Sequence, residues 1–207
     1  MRGRFISLEG GEGAGKSTQV RRLAEALRER GLDVVETREP GGSPGAEAIR
    51  SLLLEGDEQR WTAEAEALLF AAARADHVAR TIRPALERGE WVLSDRFLDS
   101  SLAYQGGAGG LGVDRIRALH KFGSGGFVPD RTLLLSLPPK EAAARAGRRD
   151  TEGADRIGGR GDLYHRGVSA AFEALAEAEP ERYRVIDASG SPDDVAAVIL
   201  AAMEDLL

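Results

Sequence analysis

The residues best placed to do chemistry come early in the chain. Gly10-Gly11-Glu12-Gly13-Ala14-Gly15-Lys16-Ser17 has the spacing GxxxxGKS and runs on into Thr18. Four glycines let a backbone curl until successive N–H groups point into one concavity, which suits an anion. A helix starting where the loop ends adds the positive end of its dipole. Lys16 supplies a point charge for the β- and γ-phosphates of a nucleoside triphosphate, and Ser17 a hydroxyl for Mg2+. The apolar run Phe5-Ile6-Ser7-Leu8 precedes the loop, and Val20, Leu23, Ala24 and Leu27 recur at helical spacing after it. Strand, loop and helix are the context this motif requires.

Other candidates lie where apolar runs end. Asp95-Arg96 follows Trp91-Val92-Leu93-Ser94. An acid–base pair at the lip of a buried strand is costly unless it is used or paired. Asp95 suits the shell of a Mg2+ ion, and Arg96 suits an acceptor phosphate. Arg38 ends Asp33–Arg38 and leads into Glu39-Pro40-Gly41-Gly42, a bend that brings backbone close to a ligand. Arg38 alone fits a phosphate fork or a surface salt bridge equally well. Phe70 and Arg74 share one helix face at i, i+4, an arrangement that lets a ring stack on a base while a guanidinium reaches its carbonyl. A phenylalanine there also suits a core. Arg145, Arg148, Arg149, Arg156, Arg160 and Arg166 put six arginines into 22 residues, where the chain's average gives about three, the level a solvated face would show. A mobile, arginine-rich lid over residues 147–162 is expected. It would bring charge to a transferring phosphoryl group and exclude water. The three histidines, His77, His120 and His165, show no metal spacing and are assigned no chemistry.

These residues need a frame that brings strand ends together. Strands are expected at about Arg4–Glu9, Asp33–Arg38, Trp91–Ser94, Arg131–Leu137 and Tyr183–Ile186. Helices are expected between them, with Gly31 and Gly89 as stops. The long helix from Thr62 should break or kink before Pro84 and resume to Arg88. Gly106–Gly112 reads as a glycine-rich loop, Pro139 as the first turn of a helix, and Ser191-Pro192-Asp193-Asp194 as the start of a final helix running to Leu207. Alternating strands and helices imply an α/β fold with a parallel five-stranded sheet covered on both faces. Ligands then sit beyond the carboxyl ends of the strands.

Composition narrows the function classes. The chain has 207 residues, 42% hydrophobic and 30% charged, with net charge −6. That is enough for one sizeable domain, expected to span 1–207. The acidic balance argues against a nucleic-acid surface. Without cysteine there is no disulfide, thiolate or cysteine-ligated metal chemistry. The longest apolar run, Val195–Met203, is short of a membrane span. The expectation is a cytoplasmic protein without membrane or nucleic-acid partners. Only three cations are lysine, against 25 arginines, so a lone arginine carries little weight.

Four segments in order, GGEGAGKSTQ, TREPGGSPGAEAIR, ALLFAAARADH and SDRFLDSSLAYQG, resemble the bacterial thymidylate (dTMP) kinases over essentially the whole chain. The resemblance implies a three-layer P-loop fold with sheet order 2-3-1-4-5. It implies the reaction ATP + dTMP → ADP + dTDP with Mg2+, in dTTP synthesis, and a homodimer. It also implies residue roles. Lys16 and the loop residues Gly10 to Thr18 hold ATP, and Glu12 meets the sugar 3′-hydroxyl. Arg38 and Arg96 take the dTMP phosphate, beside Pro40 of the bend. Phe70 stacks on thymine and Arg74 reaches its O4. Ser101 and Gln105 lie in the base-contacting segment, and Tyr104 lies under the deoxyribose. Asp95 is a Mg2+-associated acid. Some relatives carry a catalytic arginine inside the phosphate loop, where this chain has Gly13. The lid should then supply that charge. Asp155-Arg156-Ile157 matches the family's lid segment, so Arg156 is the expected catalytic arginine, with Arg149 and Arg160 as competitors. No general base is needed, because the attacking phosphate oxygen is already anionic. Two other readings are a kinase for another nucleoside monophosphate and a P-loop switch that couples ATP hydrolysis to a partner.

Overall fold

The structure is a computed structural model that describes residues 3–57, 59–138, 141, 142, 144, 145 and 155–207. Five parallel strands form one sheet: β1 (Phe5–Glu9), β2 (Val34–Arg38), β3 (Trp91–Asp95), β4 (Arg131–Ser136) and β5 (Tyr183–Asp187). Their order is β2-β3-β1-β4-β5. All five residues of the central β1 are buried, as expected for a strand covered on both faces.

Alternate side chains of the strands feed two cores. Ile6, Leu8, Leu93, Leu133 and Leu135 pack with Leu23 and Leu27 of α1 (Lys16–Glu29) and with Ile199 of α8 (Pro192–Ala201). Phe5, Val92 and Leu134 face the other way. They pack with Phe97, Leu102 and Ile116 and with Phe172 of α7 (Asp162–Ala178). On that side lie α3 (Ala63–His77), α4 (Arg83–Glu87), α5 (Leu98–Ser101) and α6 (Val113–Ser124). The helix α2 (Pro44–Leu54) follows β2 and is capped by Ser43, whose hydroxyl accepts from the Ala46 N–H.

Strand register decides the site. Leu8 and Arg38 both lie level with Asp95, and Glu9 lies level with Leu134. The carboxyl ends of β1, β2 and β3 therefore open onto one edge.

Three expectations need revision. Where a break or kink is expected before Pro84, the helix from Thr62 does not break; it widens into π-helical turns at Val78–Ile82 and continues as α4. Proline lacks an N–H and crowds the carbonyl four residues earlier, and a wider turn relieves both. The expected loop at Gly106–Gly112 is helical in its first part, because a π-helical segment, Leu102–Ala108, extends α5. The last helix ends at Ala201, followed by a short turn at Glu204–Leu206. Pro139 and residues 147–154 of the expected lid lie outside the described residues.

Candidate active site

A cavity of about 530 Å³ opens at the carboxyl edge of the sheet. One wall is the phosphate loop. Its shape depends on Gly10, whose φ of +138° suits only glycine, and a Cβ there would collide with the Leu135 carbonyl oxygen. The helix α1 starts at Gly15 with no side-chain cap and no acidic residue in its first turn. By contrast α2, α3 and α8 are capped by Ser43, Thr62 and Ser191. An uncapped helix start leaves N–H groups and the positive dipole end open to an anion. Lys16 is buried, and its Nζ donates to the carbonyls of Gly10 (3.1 Å) and Gly11 (2.7 Å). Burial, then the charge of Arg96, pulls its pKa down to about 8. Glu12, Gly13, Gly15, Lys16, Ser17 and Thr18 reach the cavity wall, while the Ala14 side chain packs in the core. Ser17 donates to Asp95 Oδ2 at 2.5 Å, so the two expected metal-associated oxygens meet.

Arg96 links this wall to the rest. It is the one non-glycine residue with positive φ (+71°) among the described residues. That conformation is rare away from functional turns. The Arg96 N–H donates to the Leu8 carbonyl, and its own carbonyl accepts from Ser94 Oγ. The buried Glu9 braces the next residues by accepting from the Phe97 N–H (2.7 Å) and Ser100 Oγ (2.6 Å). Burial, then the nearby Asp99 carboxylate, raises the Glu9 pKa to about 8. The Arg96 side chain lines the cavity, donating to the Gly10 carbonyl (3.0 Å), Glu12 Oε1 (2.6 Å) and Tyr104 Oη (3.2 Å).

The opposite wall is built from side chains. Arg74 is buried and held on three sides: Nε donates to Glu39 Oε2 (2.7 Å), and Nη2 to Ser101 Oγ (2.8 Å) and the Phe97 carbonyl (3.2 Å). His77, fully buried, joins Glu39 to Thr37. Both acts hold the Glu39–Pro40 bend, whose peptide is cis. Phe70 lies half-buried on the cavity wall and belongs to neither core. Arg38 also reaches the cavity, 3.2 Å from Glu47, with side chains 56% and 42% exposed. So exposed a pair is weak enough for Arg38 to exchange Glu47 for a phosphate.

The thymidylate kinase family profile matches residues 8–199. A thymidylate kinase from Rhizorhabdus wittichii RW1 is 63% identical over 207 residues, spanning all of both chains. One from Rhodopseudomonas palustris TIE-1 is 52% identical over 205 residues, 98% of this chain and 89% of that one. A solved thymidylate kinase from Ehrlichia chaffeensis superposes with a TM-score of 0.79 at 30% identity, over 99% of each chain. The chain belongs to the thymidylate kinase family.

In this thymidylate kinase chain the lid arginines are placed differently from expectation. Arg156 is buried and turned away from the cavity. Its Nε donates to the Leu53 carbonyl (2.7 Å), and its Nη2 to Glu66 Oε2 (2.5 Å). Arg160 grips the same oxygen at 2.6 Å and donates to Tyr164 Oη. The structure thus does not bring Arg156 or Arg160 to the phosphate loop. A buried carboxylate on α3 competes for both, and spacing along the chain cannot reveal that. Arg149 lies outside the described residues.

Several residues went unassigned in the sequence. Arg50 lies on the cavity wall and donates to the Pro40 carbonyl at 2.6 Å. It sits on the same face of α2 as Ala46, Leu53 and Leu54; an arginine on an apolar helix face was the available signal. Glu66 gave none, and Glu9 and Glu39 gave only their place at the ends of strands, because a glutamate next to apolar residues reads like any surface acid until its arginine or amide partner is known.

Proposed function

We propose that this cavity carries out the family's reaction, with the donor on the phosphate-loop side and the acceptor on the Arg74 side. The chain phosphorylates dTMP to dTDP with ATP, in dTTP synthesis. On this assignment Lys16 and the loop N–H groups hold the ATP phosphates, and Arg38, Arg50 and Arg96 gather the acceptor phosphate. Phe70 stacks on the thymine, Arg74 donates to its O4, and Tyr104 and Glu12 flank the sugar. Ser17 and Asp95 offer a hydroxyl and a carboxylate side by side. Those two oxygens would hold Mg2+, a hard cation that takes oxygen ligands. When bound, the ion neutralises charge on the β- and γ-phosphates.

The residues act by position and charge. Arg96 carries the reading: it touches the loop at Gly10 and Glu12 while standing among the acceptor residues, so one guanidinium spans donor and acceptor. A transferring phosphoryl group would pass beside it. Lid charge from Arg156, Arg149 or Arg160 completes the set when the lid closes, and Arg156 or Arg160 must first leave Glu66. The whole chain works as one catalytic domain, in the cytoplasm; no described helix is long and apolar enough to cross a membrane. A homodimer is also proposed. It is supported by apolar residues left uncovered on the adjoining α3 and α6, Leu68 at 56% and Phe122 at 94% exposure. Sedimentation showing only monomer at micromolar concentration rejects it.

The deciding assay is ADP release with a panel of monophosphates. Turnover is expected to need an acceptor and to be fastest with dTMP. Strong ATP hydrolysis without a monophosphate overturns the kinase reading, and equal rates with dTMP and dCMP overturn the thymine assignment.

A further inference from the structure

Glu66 lies on α3, outside the cavity wall, and is 3% exposed. Two guanidiniums, from Arg156 and Arg160, donate to its Oε2. Its Oε1 accepts from Gln105 Nε2 at 2.9 Å. With Oε2 taken by the two guanidiniums, Oε1 is the oxygen left to Gln105, and a carboxylate oxygen accepts hydrogen bonds. Gln105 must therefore turn its NH2 toward Glu66, since the flipped amide would set oxygen against oxygen. Gln105 lies on the cavity wall, and no described residue donates to its Oε1. Its carbonyl oxygen is then the atom left for a ligand. Arg74, on the same wall, has three of its donors fixed, and its Nη1 has no partner among the described residues.

We infer that Glu66 is a specificity-determining positioning residue, which fixes the Gln105 amide so that the pocket presents an acceptor beside the Arg74 donor. This rests on the acceptor-side assignment proposed above. Uracil-type bases, thymine included, carry an N3–H donor next to an O4 acceptor and complement that pair. Cytosine carries an N3 acceptor and an N4 donor and opposes both. The discrimination thus originates in a residue that touches no substrate. Burial keeps it effective, because a misplaced polar pair away from water loses its hydrogen bonds without replacement.

The test is the ratio of kcat/KM for dTMP to that for dCMP. In Glu66→Gln the residue at 66 can accept or donate, so Gln105 is free to flip, and the ratio is expected to fall about tenfold or more. Glu66→Asp keeps the charge on the arginines but draws back from Gln105, and should lower the ratio as well. It also serves if Glu66→Gln does not fold. Arg156→Lys keeps a cation beside Glu66 Oε2 and leaves Oε1 to Gln105, so it should move kcat for both acceptors together, leaving the ratio as in the unaltered enzyme. If both Glu66 variants slow the two acceptors in equal proportion, Glu66 is only a scaffold for the lid and the inference is overturned. Gln105→Ala separates the levels. If it leaves the KM for dTMP unchanged, the acceptor-side assignment itself fails at this residue, and the inference fails with it.

Discussion

On the proposed donor side of the cavity, one short stretch of chain between Glu12 and Thr18 supplies the wall, with Lys16 folded onto its own loop carbonyls. On the proposed acceptor side, Arg38, Arg50, Phe70, Arg74, Arg96 and Gln105 come from β2, α2, α3, the end of β3 and the π-helical segment after α5. The first wall recognises phosphate with groups every residue carries, arranged by glycine and a helix start. The second, on the proposed assignment, has to tell one nucleotide from several, and needs side chains of chosen polarity held by buried partners. Glu9, Glu39 and Glu66 are those partners, each side chain fixing a group of the proposed acceptor side. A triphosphate cradle can thus be shared by proteins of many functions, while acceptor choice is distributed over the tertiary structure.

Three experiments press on this division, from the largest expected effect to the smallest. Lys16→Met removes the donor-side point charge and should lower kcat about 10²- to 10³-fold, the scale for losing one charge-stabilising group. Steady-state kinetics should show the KM for dTMP within a few fold of normal. A KM rising as steeply as kcat falls would mean that the two walls do not act separately. Arg74→Lys keeps the charge but loses the fork that Glu39 and Ser101 hold. A charge-assisted hydrogen bond contributes about 1.5–3 kcal/mol, so kcat/KM for dTMP should drop tenfold or more while the KM for ATP stays put. An equal rise in both KM values breaks the comparison.

Glu9→Gln touches neither wall directly and should have the mildest effect on turnover; its effect on stability is visible as pH dependence. The Glu9 pKa rises from its ordinary 4.5 to about 8 on folding. Its contribution to stability is therefore full below 4.5 and is lost as pH climbs to about 8. Lys16 moves the other way, from 10.5 down to about 8, so it adds stability only as pH rises beyond 8. Thermal melting between pH 5 and 8 should show the unaltered enzyme losing stability with pH more steeply than the variant. Parallel slopes would show that Glu9 does not titrate in that window.

The fold was legible because its signals are local and repeated. Apolar runs such as Leu133-Leu134-Leu135 mark strands buried on both faces, and glycines such as Gly31 and Gly89, both at positive φ, stop helices. The misreadings came where two local rules met. At Pro84 a helix breaker lay inside a helix that the core needed, and wider turns satisfied both. At Gly106–Ala108 glycine suggested a loop, but tertiary packing held the segment helical.

By itself, the sequence determined the phosphate loop, the order of strands and helices, and the edge of the sheet where ligands gather. Those depend on residue type and spacing over a few turns of chain, and backbone geometry responds to them directly. The tertiary structure alone decided where the charged side chains point. Arg156 was expected at the phosphates and lies on Glu66; Arg50 had no expected role and lies in the cavity. A guanidinium goes to whichever buried oxygen the folded neighbours offer, and that oxygen belongs to residues far away in sequence. A buried charge must be paired, so the partner, and not the motif, sets its direction.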